Sequence, residues 1–252
     1  MHGTRSWLKN KPAVKWFMTR SRYKYVSKLE YAKSFQQGKM FHQTAAFYRD
    51  YEDKRAAQVI GDQYECTRLY LPAGIRKHAP DGTPGPWMPL PNGQRMECIT
   101  KAHEIYIFCL SMSLNDVLVT EFEAVAAIEI FNPAELHARW LKALPTEVRD
   151  HVSEGIGDYP RFVSRKVNYY TPEELMGAAW AIPDMITTGK LKQFSYQDEY
   201  RFAFTKTDAF KFQNCTYQLT NRKDSPVPKP DEHHSETLDL GDLRDISRII
   251  VF

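Results

Sequence analysis

The stretch that most restricts the fold runs from Phe194 to Phe204, Phe-Ser-Tyr-Gln-Asp-Glu-Tyr-Arg-Phe-Ala-Phe. From Glu199 the residues alternate, with Tyr200, Phe202 and Phe204 on one side and Glu199, Arg201 and Ala203 on the other. A period of two marks a half-buried strand, and three aromatic rings on one face pin its register, because a slip of one residue would turn all three to water. The opposite face then carries a carboxylate at the mouth of the strand with Arg201 beside it. Gln197, two residues earlier, points the same way if the strand geometry already holds there. An amide and a carboxylate so spaced can grip one sugar and one acceptor together. The competing reading of Glu199 is a strand-edge acid that serves solubility alone.

Along the rest of the chain, residues 22–27 predict a strand, Leu29 to Gln37 a helix ended by Gly38, and Lys39 to Thr44 a second strand. Residues 45–66 are mixed and partly helical. Residues 79–93 hold five prolines and three glycines, which predicts a loop without regular structure, with Trp87 as a lid or an anchor. The apolar run Ile105 to Leu110 within residues 103–113 is the clearest buried strand, and it ends at Ser111-Met112-Ser113. Phe122 to Phe131 predicts a strand bounded by Asn132-Pro133. Pro133 to Leu144 predicts a helix with Leu136, Trp140, Leu141 and Leu144 on one face. Val163 to Tyr170 reads as a strand and Thr171 to Glu174 as a helix start. Residues 205–220 continue the sheet, 221–236 form an exposed loop, and Ile246 to Phe252 closes the chain as a strand. Strands with helices between them but no regular βαβ rhythm indicate α+β. There is no Walker loop and no GxGxxG, so nothing supports a Rossmann site.

Cys66, Cys98, Cys109 and Cys215 are far apart and show no metal-ligand spacing, so no metal site is expected. No run approaches a membrane span and no secretory leader is apparent, so the chain reads as cytoplasmic with reduced thiols and no membrane partner. The charge of +3 is unevenly spread. Residues 1–40 carry ten Lys/Arg against one acid, Glu30, a net +9 that leaves −6 for the remainder. Seven aromatics are interleaved there: Trp7, Trp16, Phe17, Tyr23, Tyr25, Tyr31 and Phe35. Cations neutralise phosphates while rings stack on bases, so this stretch suits a nucleic-acid surface; the alternative is a solvated amphipathic segment whose rings are core. Residues 1–20 read as a basic N-terminal arm and 21–252 as a single domain.

Three signals fall in one order: a basic residue on the first strand (Arg22, with Lys24 as substitute), Ser111-Met112-Ser113 at the end of a buried strand, and Gln197-Asp198-Glu199 opening a late strand. Gln/Glu-x-Glu also occurs at Gln63/Glu65 and Glu121/Glu123, but only the last instance follows the Ser-x-Ser and opens an aromatic-alternating strand. This order resembles the ADP-ribosyltransferase superfamily. The resemblance implies split antiparallel sheets flanked by helices, with loop insertions, and NAD as substrate without a metal. It implies Glu199 as the carboxylate that stabilises the breaking glycosidic bond and Gln197 as the residue that orients the acceptor. It further implies Arg22 or Lys24 on the pyrophosphate, Ser111 or Ser113 bracing the ribose or Glu199, and Tyr23, Tyr25 or Tyr48 stacking on nicotinamide. A toxin or phage-defence effector is the expected role, with nucleic acid as acceptor, RNA ahead of DNA, and an antitoxin protein as a further partner. The rival expectations are a non-catalytic nucleic-acid-binding protein and the same transferase acting on a protein.

Overall fold

The computed structural model describes residues 20–50, 62–91, 94–151, 159–174, 180–221 and 233–252. The basic arm, apart from Arg20, lies outside the described residues, as do residues 51–61 of the mixed segment and 222–232 of the late loop. The first elements are β1 (Arg22–Val26), α1 (Leu29–Gln36), β2 (Lys39–Thr44), α2 (Ala45–Arg49), β3 (Thr67–Tyr70), β4 (Gly74–His78), β5 (Pro84–Pro89), β6 (Gln94–Ile99) and β7 (Ile105–Ser111). Next come α3 (Asp116–Glu121), β8 (Ala126–Ile130), α4 (Pro133–Ala143), α5 (Thr146–Arg149), β9 (Phe162–Lys166), β10 (Asn168–Tyr170), α6 (Pro183–Thr187) and β11 (Gly189–Leu191). The chain closes with β12 (Glu199–Thr205), β13 (Thr216–Asn221), β14 (Ser235–Asp239) and β15 (Ser247–Val251). The architecture is α+β with mostly antiparallel pairing. Among the described residues, no helix is long and apolar enough to cross a membrane.

The described chain divides into two compact units. The first takes the residues up to Met40, Leu110–Leu144 and Thr237–Phe252. Its central strand is β8, buried at every position and paired antiparallel with β1 on one side and β15 on the other. On β1, Tyr23 lies opposite Ser111. Helix α1 stops where Gly38 takes φ +92°, a left-handed conformation that costs glycine little. A Cβ at Gly38 would also lie 2.2 Å from the Gly241 carbonyl oxygen. Helix α4 starts as its sequence indicates: the Asn132 side chain accepts from the Glu135 amide, Pro133 sits in the first turn, and Leu136 and Trp140 are buried.

The second unit takes Phe41–Cys109 and Pro145–Glu236. Here β2 pairs with β7 (Gln43 opposite Ile107), and β12 pairs with β7 and with β9 (Arg201 opposite Arg165). A three-stranded sheet runs in the order β13–β6–β3, and β10 and β11 form a short parallel pair. Ala45, Ala46, Ile105, Ile107, Ala203 and Phe210 make a core against which Tyr48 and Cys109 pack.

Two expectations are corrected. The proline-rich segment contains regular structure: β4 and β5 form a ribbon, with Ile75 opposite Met88 and Arg76 opposite Trp87. Its turn is closed by the Ala79 amide on the Thr83 carbonyl, with Gly82 at φ +84°. A two-stranded ribbon has outward-facing positions that need no amide donor, and prolines are tolerated there. Second, β12 is not half-buried. Arg201 is 0% exposed and Ala203 is buried, so both faces are covered. Two smaller differences follow from turns: β8 begins only at Ala126, after Glu123 at φ +46°, and Thr171 to Glu174 form a turn in which Glu174 accepts from the Thr171 amide.

Candidate functional site

Glu199 is the first residue of β12 and is 4% exposed. A 3-10 turn over Lys192–Gln197 precedes it, and Asp198 turns the chain through a left-handed φ of +41°, which aspartate tolerates better than most residues. The Glu199 backbone amide donates to the Tyr169 hydroxyl at 2.9 Å, so the strand mouth is tied to β10. Its carboxylate accepts from Arg201 Nε on Oε1 at 2.8 Å and from Lys190 Nζ on Oε2 at 3.1 Å, and the Cys109 thiol adds a third hydrogen bond.

Lys190, on β11, also donates to Gln197 Oε1 at 2.9 Å. The amide and the carboxylate therefore converge on one ammonium group, though by way of the 3-10 turn and left-handed Asp198 and not by strand geometry, which starts only at Glu199. Arg201 completes the cluster. Its Nη1 and Nη2 grip both oxygens of Glu65 at 2.5 and 3.2 Å, and Nη1 also donates to the Thr187 carbonyl. Glu65 is itself buried, in the turn before β3, and its amide donates to the Asp62 carbonyl.

Burial alone would raise the Glu199 pKa, but Arg201 and Lys190 outweigh it and hold the carboxyl well below the usual range. Burial likewise pushes Lys190 down, and Glu199 and Glu65 more than restore it. Asp62 goes the other way: burial, with Glu65 adding to it, pushes its carboxyl up to about 6. Burial raises the phenols of Tyr48 and Tyr169, with the Glu199 charge adding to both, so each stays protonated.

The other expected site residues fall into two groups. Tyr48 belongs to the second unit and packs beside Cys109, as Glu199 does. Arg22, Tyr23, Lys24, Tyr25, Ser111 and Ser113 belong to the first unit. There the two serine hydroxyls lie 3.4 Å apart, and Ser113 Oγ accepts from Asn115 Nδ2 at 3.1 Å. Asn115 also caps α3 by accepting from the Leu118 amide. Tyr25 donates to the Ser113 carbonyl and stacks near Phe252, and Tyr23 donates to Glu129, which Arg248 also holds. Arg22 is buried, and its Nη1 donates to the backbone carbonyls of Arg20 and Ser21 at 2.5 and 3.3 Å.

Sequence reasoning did not find Lys190, Asp62 or Asn115, and it set Glu65 aside with the unfavoured Gln63/Glu65 instance. Lys190 and Asp62 carry no local signal, because a lysine in Gly-Lys-Leu and an aspartate in Gly-Asp-Gln look like surface residues. Among the described residues, no group of three or more His, Cys, Asp or Glu side chains is placed to hold a metal ion. Compared with known proteins, the chain matches no family model, no curated protein sequence and no solved structure.

Proposed function

We propose that the chain is a mono-ADP-ribosyltransferase that cleaves NAD and transfers ADP-ribose to a macromolecule, RNA ahead of DNA. One observation supports this above the others: Gln197 and Glu199 meet on Lys190 Nζ, with Glu199 fixed and ionised between Lys190 and Arg201. As the bond from ribose C1′ to nicotinamide breaks, nicotinamide leaves with the electron pair, and positive charge develops on C1′ and the ring oxygen. A rigid carboxylate in a low-dielectric setting offsets that charge without having to reorganise. The acceptor atom then bonds to C1′, and its proton passes to solvent. An ionised carboxylate offers about four acceptor positions. Arg201, Lys190 and the Cys109 thiol occupy three, which leaves one for a ribose hydroxyl. Gln197 orients the acceptor.

On this reading the α+β architecture is of the split-sheet ADP-ribosyltransferase kind, and the role is that of a cytoplasmic toxin or phage-defence effector. An antitoxin is then a natural partner. A second reading has an observation of its own. Glu199 is 4% exposed and bonded on both oxygens. That favours a structural ionic core in a non-catalytic nucleic-acid-binding protein.

Incubation with NAD labelled in the adenylate phosphate, in the presence of RNA, DNA or protein, separates the two. Label entering RNA, and falling roughly a hundredfold with a folded Glu199→Gln, is the expected result. No transfer to any acceptor and no release of nicotinamide, alongside salt-sensitive binding of RNA, favours the second reading.

A further inference from the structure

Arg68, the second residue of β3, is held without being spent. Its guanidinium carbon lies 3.5 Å from the centroid of the Tyr170 ring. That ring is fixed in turn, because the Tyr170 hydroxyl accepts from the Leu69 amide at 3.0 Å and donates to the Thr67 carbonyl at 3.3 Å. Gly189 leaves the room: a Cβ there would meet Arg68 Nη1 at 3.0 Å. Yet Nη1 is buried and has no hydrogen-bond acceptor among the described residues. Other arginines of the same unit end on carboxylates, Arg95 on Glu97, Arg165 on Asp184 and Arg201 on Glu65.

A second unmet donor among the described residues belongs to a side chain packed in the same layer. Arg68 lies opposite Cys98 on β6, and Trp180 packs on Cys98. Trp180 is 8% exposed, and its Nε1 has no acceptor among the described residues either. Buried donors without acceptors cost free energy and are rare in folded proteins. Two of them on one side of a three-stranded sheet are free to take an acceptor from outside. The same side carries a run of rings in contact: Trp180 and Tyr70 with centroids 6.4 Å apart, Trp180 and Tyr217 at 5.8 Å, and Tyr217 and Phe212 at 6.0 Å. Tyr217 and Phe212 are each 43% exposed.

We propose that this face of the β13–β6–β3 sheet is a nucleotide-binding site, in which Arg68 and the Trp180 indole N–H take the phosphate and the Tyr217–Phe212 surface takes the base. The planar guanidinium fork matches phosphate oxygens, and an arginine already immobilised by stacking loses little freedom on binding. Aromatic faces stack on any base, which makes the site tolerant of sequence. The negative charge of Glu174 also acts on Arg68 and competes with a bound phosphate for it. The site is independent of whether Glu199 is catalytic.

Calorimetric titration of the full chain with AMP, with adenosine and with a short single-stranded RNA lacking a terminal phosphate tests this. AMP is expected to bind at least tenfold more tightly than adenosine, and Arg68→Gln to abolish that difference while Arg68→Lys restores part of it. Glu174→Gln is expected to tighten AMP binding severalfold, a gain that a misfolded variant cannot produce. Arg68-dependent binding of the RNA as well assigns the phosphate to a nucleic acid, and AMP binding without RNA binding assigns it to a free nucleotide. Equal affinity for AMP and adenosine, no binding of either AMP or RNA, or AMP affinity unchanged by both Arg68→Gln and Glu174→Gln overturns the proposal.

Discussion

Replacing Arg201 by methionine tests whether the ion cluster around Glu199 holds the second unit together. At neutral pH three carboxylates, Asp62, Glu65 and Glu199, face two cations, Lys190 and Arg201. Removing Arg201 leaves three acids against one cation. Glu65 loses both of its charge-assisted bonds, Glu199 loses one, and the Thr187 carbonyl loses its donor. Breaking a buried pair by deleting one partner costs about 3–5 kcal/mol, and two stranded carboxylates place Arg201→Met at about 5 kcal/mol. Glu199→Gln is a different perturbation. It leaves two acids against two cations, keeps the Arg201–Glu65 fork, and retains an amide oxygen for one donor, so its cost is about 1–3 kcal/mol. Since whole domains are stable by only about 5–15 kcal/mol, Arg201→Met removes a third or more of the total while Glu199→Gln stays folded. Urea unfolding followed by tryptophan fluorescence gives both values, provided the slope is unchanged. Adding Glu65→Gln to Arg201→Met should recover part of the loss, because it removes one stranded charge. An Arg201→Met protein within about 1 kcal/mol of the parent would refute the reasoning, since no buried charge would then have depended on that guanidinium.

Asp62 supplies a pH signature. Its carboxyl is raised from 3.8 to about 6 by burial and by Glu65, with Lys190 and Arg201 opposing, so the folded state binds that proton more tightly than the unfolded chain. Stability from this group therefore falls as pH rises from about 4 through about 6, by about 3 kcal/mol at ~1.4 kcal/mol per unit. Asp62→Asn, which keeps an oxygen for the Tyr64 amide, should raise the urea midpoint at pH 8 and leave it unchanged at pH 4; no gain at pH 8 contradicts the assignment. Glu199 acts with the opposite sign, because its lowered carboxyl gives stability that is present above about 4.5 and lost as pH falls through the folded value. Gly38→Ala forces a side chain into φ +92° and against the Gly241 carbonyl, and should cost about 1–3 kcal/mol or more by thermal melting; an unchanged midpoint would mean that the α1–β2 turn can move aside. Reversing the charges of Lys9, Lys11 and Lys15 should reduce labelling of RNA while NAD hydrolysis survives, and unchanged RNA labelling would exclude the basic arm as the acceptor surface.

What the sequence disclosed and what it concealed divide along one physical line. Apolar periodicity reports burial directly, so Tyr200, Phe202 and Phe204 revealed β12, the run Ile105 to Leu110 revealed β7, and Leu136 and Trp140 revealed the buried face of α4. Local chemistry reports helix ends, so Asn132-Pro133 and Gly38 marked two of them. A charged residue carries no such mark. Arg201 reads as the solvent side of an edge strand, and its partners, Glu65 at a separation of 136 residues, Glu199 at two and the Thr187 carbonyl, make its complete burial tolerable. Arg22 is hidden in the same way: a basic residue on a first strand reads as exposed until β8 is laid beside it and its guanidinium turns to the carbonyls of Arg20 and Ser21. The Gln-x-Glu pattern shows the limit most clearly. Context favoured Gln197/Glu199 over Gln63/Glu65, yet Glu65 and Glu199 end on the same guanidinium. A motif count treats such instances as rivals, whereas the fold uses both carboxylates to hold one arginine, and whatever Glu199 does chemically it does with Glu65 setting the position of its counter-ion.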